Sequence, residues 1–136
     1  MFRMQYYISY SLREVSDVIK RIEFSLTAES IPREKVFNAM LIIEELLVNI
    51  IHHNGMDNKL IALAITADSN DIKITLKDDG HPFNPVEYVN KLGDINTRPL
   101  TEGGNGLYIV KMLSKCVKYS REDNKNILHL TVLDSV

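Results

Sequence analysis

The segment 42–54 (IIEELLVNIIHHN) most constrains the fold of this chain, because it is apolar around most of a helical circumference. Such a helix must be sandwiched between neighbouring elements. Yet Glu45 and Asn49 are four residues apart, so they lie side by side on one stripe, and His53 follows one turn later. Burying a carboxylate and a carboxamide without partners costs free energy. The stripe is therefore a candidate site, where a bound cation and a reacting hydroxyl would satisfy both groups. A solvated helix face with ordinary polar residues four apart is the alternative.

Composition and charge narrow the class of protein. The chain has 136 residues, 45% hydrophobic and 25% charged, which is enough for one domain over residues 1–136 with a single core. Its net charge of -2 is spread without a basic block, and no uninterrupted apolar run is long enough to cross a bilayer. We therefore expect neither nucleic acid nor a membrane as a partner.

The expected location is cytoplasmic. The first residues lack the pattern of a secretory signal. The single Cys116 excludes an internal disulfide, as is usual in a reducing compartment, and we interpret it as a small buried side chain.

Periodicity predicts five strands. Apolar and polar residues alternate in the N-terminal segment 2–9 and in 72–77, whereas 60–66 is almost wholly apolar. Two further strands are expected at 116–120 and 127–132. The polar face of 72–77 indicates that helices cover only one side of the sheet.

Three main helices are expected between these strands. The first begins after Ser11, which forms a capping box with Glu14, and the second runs from Pro32 to about His53. The third opens at the glycines of 103–106. The predicted fold is α+β: a two-layer sandwich with a mixed, mostly antiparallel five-stranded sheet and about three helices on one face.

A second candidate site follows the third predicted strand, in the segment 78–85 (DDGHPFNP). Period two carries Asp78 onto the apolar face of the strand, so its carboxylate should be desolvated and need a donor. The exocyclic amino group of adenine is a suitable neutral donor, and Gly80 would let the backbone approach a flat ring. An ordinary turn after a strand is the alternative.

A third candidate site is the glycine-rich segment 103–106 (GGNG) at a helix start. Exposed backbone N–H groups and the helix dipole favour phosphate there, although a plain flexible loop explains the glycines too. A dinucleotide-binding turn fits poorly, because a third glycine is missing at the expected offset. Residues 86–102 would form either a lid over a ligand or a surface loop. Zinc on His52 and His53 is disfavoured, because adjacent helical residues point about 100° apart.

In this order and on these elements, the three motifs resemble those of the GHKL ATPase superfamily, which has the Bergerat fold. The Glu-x-x-x-Asn of Glu45 and Asn49 resembles the N box, 78–85 the first glycine box and 103–110 the second. Within the superfamily, the chain is most similar to the stand-alone anti-sigma-factor or serine-protein-kinase type. The resemblance covers nearly the whole chain.

The resemblance implies a role for individual residues. Asn49 would hold Mg²⁺ against the ATP phosphates, Asp78 would bind the adenine amino group, and Glu45 would be the catalytic base that deprotonates a partner's serine. Arg98 would meet the γ-phosphate. The remaining ATP-binding residues expected by resemblance are His53, Gly80, Phe83, Gly103, Gly104, Asn105, Gly106 and Leu107.

Three residues depart from the family pattern. Asn84 stands where the group usually has Asp, and Asn105 replaces a more usual apolar or basic residue. The family often places a threonine near the base in its last strand. Here His129 falls at that position, with Thr131 two residues further on.

The function implied by the resemblance is an ATP-dependent protein serine kinase that uses ATP and Mg²⁺. Its substrate would be a STAS-type anti-anti-sigma protein, it would sequester a sigma factor, and it would form a homodimer. A nucleotide-gated binding module without kinase turnover, the catalytic domain of a sensor histidine kinase, and a purely structural domain are the alternatives.

Overall fold

Five strands and four helices form two layers in the computed structural model, which describes residues 2–54, 60–92 and 105–134. The elements are, in chain order, β1 (Phe2–Ser9), α1 (Leu12–Ala28), α2 (Arg33–His53), β2 (Leu60–Ala67), β3 (Ile72–Asp78), α3 (Pro85–Leu92), α4 (Asn105–Met112), β4 (Ser114–Glu122) and β5 (Lys125–Val132).

The five strands make one sheet in the order β1-β2-β3-β5-β4, with β3 at its centre. All four pairings are antiparallel. The prediction of an α+β two-layer sandwich with a five-stranded sheet is confirmed. The sheet is antiparallel throughout these pairings, rather than mixed.

The two faces of the sheet differ in polarity, as β3 illustrates. Ile72, Ile74 and Leu76 are buried against the helices, whereas Lys73 and Lys77 are exposed on the opposite face. Because side chains alternate along a strand, this pattern fixes which face the helices cover. Asp78 continues the buried row at the end of β3, where the second candidate site begins.

Helix α2 lies in the middle of the helical layer and contacts both α1 and α4. Its buried residues include Ile42, Ile43, Leu46 and Leu47, which explains why it is apolar on several faces. By length and composition, this 21-residue helix would also be able to cross a membrane, contrary to the expectation from its shorter uninterrupted runs. A core helix of a soluble protein passes the same test.

Capping at α1 follows the sequence only in part. Ser11 is the N-cap, and its side chain accepts a hydrogen bond from the backbone N–H of Glu14. The Glu14 carboxylate does not return to Ser11 as a capping box requires; it accepts hydrogen bonds from the backbone N–H and the hydroxyl of Ser9. This pair ties the end of β1 to the first turn of α1.

Helix α3 occupies a segment predicted as lid or loop. Asn84 caps it, because its side-chain oxygen accepts hydrogen bonds from the backbone N–H groups of Val86 and Glu87. An asparagine therefore serves here as an N-cap in place of the family's usual Asp.

Strands β4 and β5 are longer than predicted, because only two residues connect them. Asp123 and Asn124 both have positive φ, at 51° and 61°, as a type I′ hairpin turn requires. The expectation of a buried Cys116 is wrong. Its thiol is exposed, since β4 is an edge strand with a register irregularity between Ser114 and Cys116.

A buried ammonium group holds the far end of the sheet. Lys35 of α2 is only 6% exposed, and it donates to the backbone oxygen of Asn70 and, at 2.9 Å, to the Asp134 carboxylate. Lys115 donates to Asp71 and also approaches Asp134, at 3.0 Å in each case. The β2–β3 turn and the end of β5 are thereby fixed to α2.

Lys35→Ala should lower the free energy of unfolding by about 1–3 kcal/mol, because it removes a packed aliphatic stem and two hydrogen bonds. Urea unfolding followed by circular dichroism measures this. Lys91→Ala is the matched control, since Lys91 pairs with Glu87 on an exposed face and should leave the midpoint unchanged. Equal losses in the two variants would contradict the role of burial.

Candidate functional site

A cleft of about 450 Å³, which includes space open to solvent, lies between α2, the end of β3 and the β4–β5 hairpin. Asn49 and His53 enter it from α2, and Asp78 enters it from β3. Phe83 and Asn126 complete its polar and aromatic lining, among apolar side chains from the core. The first two predicted motifs thus meet in one cavity.

The Asp78 carboxylate is the most buried acid of this cleft, at 6% exposure. Its Oδ1 accepts hydrogen bonds from the backbone N–H of Gly80, at 2.9 Å, and from the side-chain amide of Asn126, at 3.1 Å. Burial raises the pKa of the Asp78 carboxyl above its ordinary value, and these two hydrogen bonds offset part of the rise. The carboxylate is therefore held in place at an electrostatic cost.

Asn126 is the β5 residue that reaches Asp78, because the two are directly opposed in the β3–β5 pairing. The family pattern suggested a position near the base for His129, with its contact left unassigned, and the structure places this residue elsewhere. His129 lies opposite Thr75, is exposed on the outer face of the sheet and contacts the Thr75 hydroxyl at 2.9 Å. Because side chains alternate along a strand, it faces away from the side on which Asn126 lies.

Gly80 is required by a close approach between two segments. A Cβ atom at this position would lie 2.4–2.5 Å from the Oδ1, Cγ and Nδ2 atoms of Asn54, at the end of α2. Asn54 is fixed at both ends, since it donates to the oxygen of Ile50 and accepts from the N–H of His81. The loop after β3 is therefore bound directly to the end of the Glu45–Asn49 helix.

The predicted base contacts the predicted phosphate-binding helix. A Cβ atom on Gly106, in the first turn of α4, would lie 2.0 Å from Oε2 of Glu45. The Glu45 carboxylate thus fills the space that the absence of a side chain leaves. The first and third motifs are adjacent, on facing helices.

Two rings, those of His53 and Phe83, line the cleft. The rings of His53 and Phe83 are stacked, with centroids 4.9 Å apart and planes 22° apart. The ring of Tyr88 packs against that of Phe83 at a tilt, with their centroids 5.4 Å apart. These side chains present flat apolar surface close to Asp78, as a purine requires.

Five predicted residues need a separate account. Arg98, Gly103 and Gly104 lie outside the described residues, and Asn105 is described only as the first residue of α4. Leu107 is 4% exposed and belongs to the core. The roles predicted for these residues, and for the rest of the site, stay predictions.

The donor set fits one particular kind of metal site. Within residues 2–54, 60–92 and 105–134, no three His, Cys, Asp or Glu side chains form a cluster for a metal ion. Asn49 would supply one neutral oxygen ligand at the cleft. Mg²⁺ commonly takes one or two protein ligands and completes its shell with phosphates and water, so these residues fit a magnesium nucleotide and not an all-protein metal cage.

Several polar side chains that hold the site residues in place were given no role from the sequence. Tyr119 and Arg121 of β4 both donate to Oδ1 of Asn126, and Arg121 also donates to the backbone oxygen of Gly80 at 2.9 Å. Tyr10 donates to Asp79 at 3.0 Å, and its burial raises the pKa of its hydroxyl. Correct pairing of the β4–β5 hairpin would have indicated the contact of Arg121 with Asn126, which lie opposite each other. The contact of Asn126 with Asp78 joins strands that are not consecutive, so no local pattern indicates it.

Asp78→Asn should raise the thermal midpoint of the ligand-free protein at pH 7 by a few degrees. The raised pKa means that the ionised carboxylate destabilises the fold above that pKa, and that the penalty vanishes once the pH falls low enough to protonate it in both states. The gain should therefore disappear on acidification. Thermal melts at neutral and acid pH measure both effects.

Asp68→Asn is the control of opposite sign. Its carboxylate accepts two backbone N–H groups in the β2–β3 turn, which lower its pKa, so its loss should not stabilise the protein at pH 7. A lower midpoint for Asp78→Asn at neutral pH would show that the desolvation of Asp78 does not oppose folding.

The chain matches a family model over residues 8–132, that of the histidine kinase-like ATPase domain. Comparison with curated proteins found no match. The family match spans every element from the end of β1 to the end of β5, and so includes all three motifs.

Solved structures share the fold at low sequence identity. The SiaB–SiaC complex from Pseudomonas aeruginosa matches with a TM-score of 0.72 and 14% identity, over 95% of this chain and 88% of that chain. A structure of RsbU and RsbW domains from Mycobacterium tuberculosis matches with a TM-score of 0.68 and 12% identity, over 97% of this chain but only 32% of that chain. The catalytic domain of the histidine kinase ThkA matches with a TM-score of 0.55 and 16% identity, over 97% and 95%.

Proposed function

Because the chain belongs to the histidine kinase-like ATPase domain family, we propose that it is an ATP-dependent protein serine kinase of the anti-sigma-factor type. The observation that carries the proposal is the convergence of three separate segments. Asp78 and Asn49 line one cleft, and Glu45 of the same helix contacts Gly106 at the start of α4. A nucleotide that bridges Asp78 and α4 would pass Asn49 and bring its phosphates towards Glu45.

The base of ATP would occupy the end of the cleft at Asp78. A carboxylate that is buried and only partly satisfied is a strong acceptor for the adenine amino group. His53 and Phe83 would cover a face of the ring. Gly80 lies too close to Asn54 to carry a side chain. Its loop would therefore pass close beside the adenine ring.

The phosphates would lie between Asn49 and the first turn of α4. Backbone N–H groups at a helix start favour anions. Asn49 is the residue that would hold Mg²⁺, whose charge neutralises the phosphates when it is bound. Arg98, Gly103 and Gly104 are proposed to add further phosphate contacts.

Glu45 would act as the general base. It lies one turn before Asn49 on α2, so a phosphate beside Asn49 is within reach of a hydroxyl held by Glu45. The carboxylate would orient the incoming serine hydroxyl and accept its proton. The serine oxygen would form a bond to the γ-phosphorus while the bond from that phosphorus to the β,γ-bridging oxygen breaks, and ADP would leave. Phosphoryl transfer needs this positioning more than covalent help.

A STAS-type protein is proposed as the serine donor and a sigma factor as the sequestered partner. The proposal rests on the 78–85 motif and on likeness to the structures of an RsbW domain and of a SiaB–SiaC complex. The lower TM-score of the ThkA histidine kinase domain, 0.55 against 0.72, favours this reading over a sensor histidine kinase. A homodimer in the cytoplasm is part of the same proposal.

Glu45→Gln should lower phosphorylation of a STAS-type partner by about 10²–10⁴-fold, because the amide cannot accept the proton. Binding of Mg-ATP should survive, since Glu45 would contact the serine hydroxyl and not the adenine ring. Labelled γ-phosphate on the partner measures transfer, and calorimetry measures binding. Full transfer by the variant would remove Glu45 from this role.

Asp78→Asn is the complementary variant. It should weaken Mg-ATP by about 10–100-fold, the usual cost of losing a hydrogen bond to a charged group, while transfer at saturating nucleotide persists. If the wild type binds no nucleotide and neither variant transfers phosphate, kinase activity is excluded. Nucleotide binding without transfer by the wild type would favour the nucleotide-gated binding module.

Gly106→Ala should reduce transfer by about tenfold or more while leaving the thermal midpoint nearly unchanged. The added methyl group would displace only the end of the Glu45 side chain, which can rotate at little cost to the fold. Gly80→Ala is the contrast, because Asn54 is hydrogen-bonded at both ends and cannot move as freely. It should destabilise the protein, and an unstable Gly106→Ala protein would contradict this explanation.

A further inference from the structure

One side chain of the cleft lining, the buried amide of Asn126, makes more hydrogen bonds than any predicted site residue within the described ranges. It is 7% exposed and lies at the start of β5, directly opposite Asp78. Its Nδ2 donates to Asp78 Oδ1 at 3.1 Å and to the backbone oxygen of His81 at 2.8 Å. Its Oδ1 accepts from the backbone N–H of Phe83 at 3.3 Å. Both ends of the amide are therefore committed.

These contacts leave Asp78 with one oxygen available. Oδ1 accepts from Asn126 and from the N–H of Gly80, whereas no side chain or backbone group in the described ranges donates to Oδ2. Since Asp78 lines the cleft, Oδ2 is the oxygen left for a ligand. An amide that fixes Oδ1 thus also fixes the direction in which the free acceptor points.

The partner of Asp78 is neutral, although a cation is close by. Arg121 directs Nη1 to the oxygen of Gly80, at 2.9 Å, and to Oδ1 of Asn126, at 3.1 Å, and forms no ion pair with Asp78 in the described structure. A guanidinium bound to Asp78 would occupy the carboxylate and compete with a neutral donor. Asn126 holds the same carboxylate with one bond and leaves its negative charge available.

We propose that Asn126 is the positioning residue for purine selectivity: by binding Oδ1 of Asp78, it turns Oδ2 toward a purine 6-amino group. The inference rests on the proposed nucleotide site and deepens it. The same amide also holds His81 and Phe83, so the direction of the acceptor and the position of the aromatic wall are set together. Loss of the donor should lower discrimination for the amino group, beyond any general loss of affinity.

The test compares two nearly isosteric variants, Asn126→Thr and Asn126→Val, which suit a β-strand and differ by one hydroxyl group. Directly opposed strand residues are close enough for a threonine hydroxyl to donate to Asp78, whereas valine has no donor. The probes are Mg-ADP and the Mg complex of purine riboside 5′-diphosphate, which lacks only the 6-amino group. Calorimetry gives the ratio of their dissociation constants, and thermal melts report the fold.

The wild type should prefer ADP by about tenfold or more. The ratio should fall toward one in Asn126→Val and be kept in larger part by Asn126→Thr. Leu128→Ala is the structural control, because Leu128 lines the same cleft on the same strand without a polar group. It should weaken both nucleotides and leave the ratio unchanged.

Two results would overturn the inference alone: a wild-type ratio kept by Asn126→Val, or equal losses of the ratio in the Thr and Val variants. A wild type that binds both nucleotides equally would also overturn it, because Asp78 would then not read the amino group. A wild type that binds neither would overturn the proposed function and this inference together. If Asn126→Val is unfolded, Asn126→Ala, which also lacks a donor, takes its place. A fall of its ratio toward one supports the inference, and a ratio kept at the wild-type value overturns it.

Discussion

The hydrogen bond between Asn126 and Asp78 connects the core of this protein to its cleft. Both residues end buried rows, one on β3 and one on β5, and the antiparallel register places them opposite each other. A slip of one residue would send each side chain to the exposed face of the sheet. The packing of the apolar rows therefore also decides whether a carboxylate reaches the cleft with a partner.

Helix α2 likewise contributes to both the core and the cleft. Its apolar residues fill the core between α1 and α4, and one stripe carries Glu45, Asn49 and His53 towards the cleft and α4. Asn54 at its end holds the loop that contains Gly80. One helix that packs in the core thus sets the distances between the proposed base, the proposed metal ligand and the Gly80 loop, and the proposed phosphoryl transfer needs such fixed positions.

The sequence predicted the parts of the structure that depend on local pattern. Period two identified β1 and β3 and gave Asp78 its inward direction, and the Glu45–Asn49 spacing needed only a helix. Contacts that depend on register were not accessible, because hydrogen-bonded partners such as Asp78 and Asn126 are 48 residues apart. For the same reason no contact was assigned to His129. Helix α3 was missed because its eight residues make only about two turns, which is too short for apolar periodicity to separate a helix from a loop.

The central claim is that Asp78 and the start of α4 hold two ends of one nucleotide. The most direct measurement is an NMR titration of the wild-type protein with Mg-ADP, which reports backbone amide shifts residue by residue. The account predicts that Gly80 shifts together with Gly106 and Leu107, at the same saturating concentration, while amides on the outer face around Thr75 and His129 stay unchanged. Shifts confined to one end of the cleft, or centred on the outer face, would contradict it.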